Sequence, residues 1–421
     1  LARLACYALI FRKIMRLLFL LLFLVLIDFY AFQAIRVVFN GATPSTKQSV
    51  RVLFFSLNAL MLAFTLAYAA GWIENWGKVT LTLLRSLVFI AYFSKFLVLP
   101  FLLIEDLYRG IRWVIDLVQP RDSFDPSRSR FISQLGLMIG AIPLVSLTYG
   151  IFRNAYRFKL RSSQVKIPGL PPELLGLRIV QISDIHSGSF LYPEDVAKAV
   201  DLVNQQKPDL VFFTGDLVNN TADEVIPLLP ILKKIQARYG VFSVLGNHDY
   251  GDYVRWDSPE QKTENLRQLK DYHRQLGWTL LTNENRVITI EGRQVAIIGV
   301  ENYSTHLRFP KYGNLKAAYQ GSEKADLKLL LSHDPSHWTY EVTSRFPDIA
   351  ITFSGHTHGF QFGVEIPGFI RWSPVQYVYK EWAGLYQKGS QSLYVNRGLG
   401  HLGYPGRVGI LPEVTCLDCT T

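Results

Sequence analysis

Cysteine is scarce in this chain: Cys6, Cys416 and Cys419 are all there is in 421 residues. That excludes a disulfide framework as the basis of the fold. Cys416 and Cys419 have C-x-x-C spacing, but they follow a strand-like run, Glu413-Val414-Thr415. A redox or zinc pair normally opens a helix or a knuckle, so these two read as incidental thiols on a terminal strand. Acidic residues are sparse too, but only early in the chain. Residues 1–160 hold 18 Lys/Arg against 7 Asp/Glu, whereas residues 161–421 hold 26 against 27. The net charge of +10 therefore belongs to the N-terminal part, where it flanks apolar runs. No basic stripe on a soluble surface is evident, which argues against nucleic acid as a partner and for membrane topology signals.

Charge is missing altogether from 52–73 and from 131–152. About 20 apolar residues span a hydrocarbon core as a helix. Four transmembrane helices are predicted, near 17–35, 52–73, 79–104 and 131–152, making residues 1–160 a membrane domain whose partner is the lipid bilayer. The first run is too long for a signal-peptide core. The first and third carry Asp28, Arg85 and Lys95, which are costly in lipid; an ion pair between helices, or snorkelling to the interface, is the favoured reading over a headgroup or substrate path. Residues 106–130, with Leu107, Ile111, Val114, Ile115 and Val118, read as an amphipathic interfacial helix. Four helices leave both ends on one side. Ten basic residues flank that side, among them Arg153, Arg157 and Lys166. Eight, including Arg121, flank the other. The expectation is a multi-pass protein of the cell (inner) membrane with a cytoplasmic C-terminal domain.

Residues 161–176, with Pro168, Gly169, Pro171 and Pro172, read as a linker. An α/β pattern follows. Strands are expected over 177–183, 209–214, 241–245, 327–331, 349–353 and 393–395, and helices over 193–206, 224–238 and 257–276. A hairpin is expected across Glu291-Gly292.

Five short polar stretches each end an apolar run: Ser183-Asp184-Ile185-His186, Gly215-Asp216, Gly246-Asn247-His248-Asp249, Ser332-His333-Asp334 and Gly355-His356-Thr357-His358. Sites in open α/β sheets form at the carboxyl ends of strands, so the five can converge. Two aspartates, four histidines, one asparagine and no cysteine suit manganese, iron, zinc or cobalt, rather than magnesium or calcium. That is more donors than one ion needs. Two ions sharing a carboxylate fit better, and such pairs clamp the attacking and leaving oxygens of an in-line phosphoryl displacement. In the third stretch the amide can bind metal, the imidazole can donate a proton, and the carboxylate can hold that imidazole.

Together these blocks make residues 177–421 resemble the calcineurin-like metallophosphoesterase superfamily. The resemblance implies a four-layer αββα sandwich with the site at strand ends. It also implies two divalent or trivalent ions, manganese foremost. Asp184, His186, Asp216 and His358 would hold the first; Asp216 would bridge to the second, with Asn247, His333 and His356. His248 is similar to the family's phosphate ligand and proton donor, with Asp249 orienting it. Three further stretches resemble the membrane-associated bacterial branch that includes UDP-2,3-diacylglucosamine pyrophosphatases of the YaeI type: Leu331–Pro335, Asn396-Arg397-Gly398-Leu399-Gly400 and Leu411–Val414. Phe360 stands where that branch commonly has a second glycine, which bears on substrate shape. The four-helix part lies outside the resemblance.

His273, His306 and His337 lack motif partners and read as surface or core; His401 follows a Gly-rich turn within reach of the site. The aromatic stretch 360–382 reads either as a lipid-facing loop or as a folded hairpin. The expected activity is hydrolysis of a phosphodiester or pyrophosphate in a lipid-linked substrate. The alternatives are an anchored hydrolase of soluble nucleotides and a non-catalytic membrane sensor or scaffold. The intact ligand set counts against the last.

Overall fold

The structure, a computed structural model, describes residues 2–118, 126–366 and 368–421. The chain divides into two compact units, Leu1–Tyr149 and Gly150–Thr421.

The first unit is built from α1 (Ala2–Val38), α2 (Pro44–Ala69), α3 (Lys78–Asp116) and most of α4 (Pro126–Phe152). All four are long and apolar enough to cross a membrane. Thr43 caps α2, its hydroxyl accepting from the Thr46 N–H, and Pro44 follows at the first helical position, where a missing N–H costs nothing. The costly charges of α1 and α3 meet each other. Lys95 Nζ lies 2.6 Å from Asp28 Oδ1, the Tyr92 hydroxyl donates to Asp28 Oδ2 at 3.0 Å, and Asn58 of α2 offers its carbonyl to the same ammonium. Arg85 lies 5.0 Å from the Tyr68 ring centroid. The interfacial helix expected over 106–130 is not a separate element as far as Asp116, because α3 runs on unbroken to that residue. Its remainder over 119–125, with Arg121, lies outside the described residues.

The second unit holds β1 (Lys159–Lys166), β2 (Arg178–Ile182), β3 (Leu210–Phe213), β4 (Val241–Ser243), β5 (Thr279–Leu280), β6 (Glu284–Ile290) and β7 (Arg293–Gly299). After them come β8 (Leu327–Leu331), β9 (Ile351–Ser354), β10 (Val364–Ile366), β11 (Ile370–Trp372), β12 (Gly384–Lys388), β13 (Gln391–Val395) and β14 (Glu413–Thr420). Its main helices are α5 (Ala197–Gln205), α6 (Leu229–Leu232), α7 (Pro259–Gln275) and α8 (Leu315–Tyr319). One six-stranded sheet has the order β1-β14-β2-β3-β4-β5, the other β12-β13-β9-β8-β7-β6. Alternation along each strand gives every sheet two apolar faces. Ile179, Phe212 and Leu417 of one sheet meet Ile297, Leu329 and Phe353 of the other. The opposite faces pack on helices: Val180 and Phe213 against Val200 and Leu269, Ile298 and Leu330 against Leu315 and Val342. The result is a four-layer αββα sandwich.

Two expectations differ from the structure. The first six residues of the segment read as a linker, 161–166, are strand: β1 pairs in parallel with β14 along its whole length, Lys159 opposite Glu413 through Lys166 opposite Thr420. It is an edge strand, mostly solvent-exposed, so its sequence carries no apolar alternation to announce it. The helix expected over 224–238 is a 3-10 turn, Ala222–Leu228, followed by the single turn of α6. Pro227 and Pro230 remove the N–H groups that a longer helix needs. The hairpin does form, with Glu291 and Gly292 both at positive φ between β6 and β7.

Candidate metal centre

The polar stretches all fall at the carboxyl ends of parallel strands: Asp184 after β2, Asp216 after β3, Asn247 after β4, His333 after β8, His356 and His358 after β9. Both sheets therefore contribute. The loops are held open by unusual backbone. Asp184, His186, Asp216, His356 and His358 all have φ between 46° and 71°, a region that non-glycine residues rarely occupy. Strain of this kind persists where the surroundings over-determine it, commonly at functional sites. Glycine supplies the close approach. A Cβ on Gly246 would lie 2.2 Å from Asp216 Oδ1, and one on Gly355 would lie 2.2 Å from Asp184 Oδ2.

Two groups of side chains can each hold an ion: Asp184, His186 and His358, and Asp216, His333 and His356. Asp216 stands between them. Its Oδ2 lies 3.5 Å from His186 Nε2 and 3.2 Å from His333 Nε2, while its Oδ1 accepts the His248 N–H at 2.8 Å. His186 Nε2 faces His358 Nε2 at 3.0 Å, and His358 Nε2 lies 3.3 Å from Asp184 Oδ1. Burial pushes His186 down to about 3 and His358 well below its ordinary value. Two neutral imidazoles thus aim at one point beside a carboxylate, the state in which imidazole binds metal.

In the second group the far nitrogens are anchored. His333 Nδ1 lies 2.7 Å from the Thr214 carbonyl and donates to it, which leaves Nε2 for the cluster. Burial alone would push His333 down, but the Asp216 carboxylate outweighs it and holds the ring up to about 10. A positive charge is favoured at this spot. His356 Nε2 donates to the Tyr379 hydroxyl at 2.9 Å, which in turn donates to Asp334 Oδ2 at 3.1 Å. His356 Nδ1 then faces Asn247 Oδ1 at 2.8 Å, two acceptors with no proton between them. Asn247 is turned that way by its amide, which donates to the Tyr253 hydroxyl at 2.8 Å. Acceptors converging on shared points are the arrangement a cation satisfies, so the residues present fit metal ions.

His248 and Asp249 lie beside this cluster in a short 3-10 turn. The His248 ring is edge-on to His186, 4.9 Å between centroids, and its Nδ1 lies 2.7 Å from the Asn219 carbonyl. Asp249 does not orient it, contrary to expectation. Both Asp249 oxygens are taken by backbone N–H groups, those of Asp216, Leu217, Val218 and Gly246. Its carboxylate ties the β3 and β4 loops together, and the Asn219 carbonyl does the work expected of Asp249.

Sequence reasoning missed Tyr379, Tyr253 and Arg407. Tyr379 sits in the aromatic stretch but is buried at the site, as is Trp382. Fully buried Arg407 donates to the Gly398 and Gly400 carbonyls, bracing the turn whose Leu399 and Gly400 N–H groups donate to Ser183 and Asp184. The Asp334 after His333 was the one available signal for the Tyr379 link. His273 and His337 are buried elsewhere, on Ser243 and Ser332, and His401 lies against Phe190. Cys416 and Cys419 are buried, unbridged thiols of β14.

Comparison with known proteins agrees with this geometry. Residues 177–360 match the family described as "Calcineurin-like phosphoesterase", and residues 15–155 match "Probable Calcineurin-like phosphoesterase, transmembrane domain". The "Uncharacterized metallophosphoesterase YkuE" of Bacillus subtilis is 30% identical over 299 residues, which is 69% of this chain and 96% of that protein. The "Transmembrane protein with metallophosphoesterase domain" of Danio rerio is 28% identical over 288 residues, 67% of this chain but only 61% of that longer protein. With almost the whole Bacillus protein covered and residues 15–155 and 177–360 each matching a phosphoesterase family, the chain belongs to the calcineurin-like phosphoesterases and is a membrane-associated, metal-dependent phosphoester hydrolase.

Proposed function

We propose that this hydrolase cleaves a phosphodiester or pyrophosphate bond in a lipid-linked substrate, at a centre of two ions. Asp184, His186, His358 and Asp216 would hold one, and Asp216, Asn247, His333 and His356 the other, with manganese foremost among iron, zinc and cobalt. Bound there, the ions would supply charge neutralisation at the phosphoryl oxygens and an activated water. The chain's own residues do the rest. Asp249 and Arg407 fix the loops, and Tyr379 and Asp334 aim His356. The Asn219 carbonyl occupies His248 Nδ1–H, which leaves Nε2 to carry a proton to the leaving oxygen. The basic run Arg153–Lys166 favours a cell-membrane protein with this unit on the cytoplasmic side.

The observation that carries the lipid reading is an apolar rim beside the centre. Phe360, two residues past His358, is 61% exposed, and Phe369 at the tip of the β10–β11 hairpin is 85% exposed. Val364, Ile366, Ile370, Tyr377 and Val378 extend the same exposed stretch, which ends at buried Tyr379. So many exposed apolar side chains in one stretch of chain are the raw material of an interaction site. It suits an acyl chain whose phosphate reaches the metals. The test compares a lipid-linked pyrophosphate in vesicles with a soluble nucleotide diester, using wild type and Phe369→Ser/Tyr377→Ser. The double variant should lose rate on the vesicle substrate and keep it on the soluble one. Equal rates on the vesicle substrate for wild type and variant would overturn the lipid reading in favour of soluble nucleotides.

A further inference from the structure

A cavity of about 380 Å³ lies in the hydrolase unit and shares no residue with the metal centre. It is lined by Ile151, Phe152, Arg153, Tyr156 and Arg157 on one stretch and by Leu191, Tyr192, Asp195 and Lys198 on another. Its volume falls within the roughly 300–1,000 Å³ of small-molecule sites.

Three features define its chemistry. First, it carries excess positive charge: Arg153, Arg157 and Lys198 against Asp195 alone, and that carboxylate is met by Lys198 at 2.5 Å. Among the described residues neither Arg153 nor Arg157 has an ion-pair partner, so both guanidinium forks are available to an anion. Second, the Tyr156 hydroxyl accepts the N–H groups of Leu191 and Tyr192 at 3.0 and 3.1 Å. Its lone pairs engaged, the phenol has its own proton to give to an incoming oxygen. Third, one wall is apolar: Ile151, Phe152 and Leu191. Ile151 and Phe152 are the last residues of α4, and the fourth membrane span runs over Ser127–Tyr156. By continuity of the chain, Ile151, Phe152, Arg153 and Tyr156 of the lining belong to the C-terminal end of that span.

We propose that this cavity binds a phosphate-bearing anion, and that its natural occupant is the headgroup of an anionic phospholipid. Arg153 and Arg157 take the phosphate oxygens, the Tyr156 hydroxyl donates to the glycerol side, and the apolar wall receives the start of the acyl chains. Free phosphate shares the first part of this chemistry but has nothing for the wall. The site is separate from catalysis and anchors the hydrolase unit at an anionic leaflet.

The test uses the full chain in phosphatidylcholine vesicles containing a minority of phosphatidylglycerol. Native mass spectrometry after gentle detergent release counts the lipids retained per chain. Wild type should retain phosphatidylglycerol in preference to phosphatidylcholine. The variant Arg153→Gln/Arg157→Gln should lower that retention at least about tenfold, since two charge-assisted contacts are removed. Arg153→Lys/Arg157→Lys should restore part of it. Hydrolysis of a soluble phosphodiester should be unchanged in both variants, which shows that they fold. Equal retention by wild type and the Gln variant would overturn the proposal. Displacement of phosphatidylglycerol by an equal concentration of inorganic phosphate would overturn the lipid assignment and leave a free-phosphate site.

Discussion

Three imidazoles at the centre are each steered by a neighbour on the nitrogen that faces away from the proposed chemistry. His333 has the Thr214 carbonyl, His356 the Tyr379 hydroxyl and His248 the Asn219 carbonyl. Partners of this kind fix tautomer and ring angle, and losing one typically costs about 10–100-fold in metal affinity. Tyr379→Phe should therefore weaken one of the two ions by about that factor while the other stays tight, as read by metal titration with elemental analysis. Unchanged affinity for both would remove Tyr379 from the account. His248→Ala should keep both metals and slow turnover by about 10²–10⁴-fold, most with alkyl leaving groups. A nitrophenyl leaving group needs little protonation, so an equal loss on both would rule out proton donation. The candidate ligands are legible in the sequence because seven side chains of types that can bind metal end apolar runs. Their steering partners were not, because two of the three are backbone carbonyls and Tyr379 is distant in the chain.

At the level of elements, the parallel strands announced themselves through apolar runs such as Leu210–Phe213 and Leu327–Leu331, which are buried on both faces. The left-handed backbone at five of the proposed ligands left no trace, since Asp and His occupy that region far less often than Gly. β1 was hidden by being an exposed edge strand, and the 224–238 helix was overestimated because its apolar period outweighed its two prolines. Among the membrane helices, the sequence shows that Asp28 and Lys95 need a partner or an exit to the interface, and the structure pairs them across α1 and α3. Neutralising only one should be worse than removing both. Asp28→Asn leaves Lys95 buried without its counter-charge and should cost about 3–5 kcal/mol, whereas Asp28→Leu/Lys95→Leu should cost much less. Thermal unfolding in detergent micelles measures both. A double variant as unstable as the single one would contradict the pairing.

At the scale of the whole molecule, the two-part organisation and the α/β class could be read from composition and period alone. The layering could not. β14 inserts between β1 and β2, joining residues more than 200 positions apart, and no local pattern encodes such pairing. The hydrolase unit also has an acid sensitivity away from its centre. His273 of α7 is fully buried against Ser243, Phe213 and Trp278, and burial pushes it down to about 3. The unfolded chain takes up this proton near pH 6.5 and the folded chain does not until about pH 3. Stability from this residue is complete above pH 6.5 and falls by about 1.4 kcal/mol per unit as pH drops through that window. His273→Gln, which keeps a hydrogen bond to Ser243, should flatten the fall between pH 6 and 4. Chemical unfolding followed by tryptophan fluorescence reads the two slopes, and identical slopes would place the acid sensitivity elsewhere.

Asp216 is the one side chain shared by the two proposed ion sites, its Oδ2 facing both histidine groups. The most direct measurement is elemental analysis of the purified full chain after metal loading, beside Asp216→Ala. Wild type should carry two ions per chain, and the variant should lose both, because among the described residues Asp216 is the carboxylate that faces histidines of both groups. An Asp216→Ala protein that still binds two ions would contradict the shared centre.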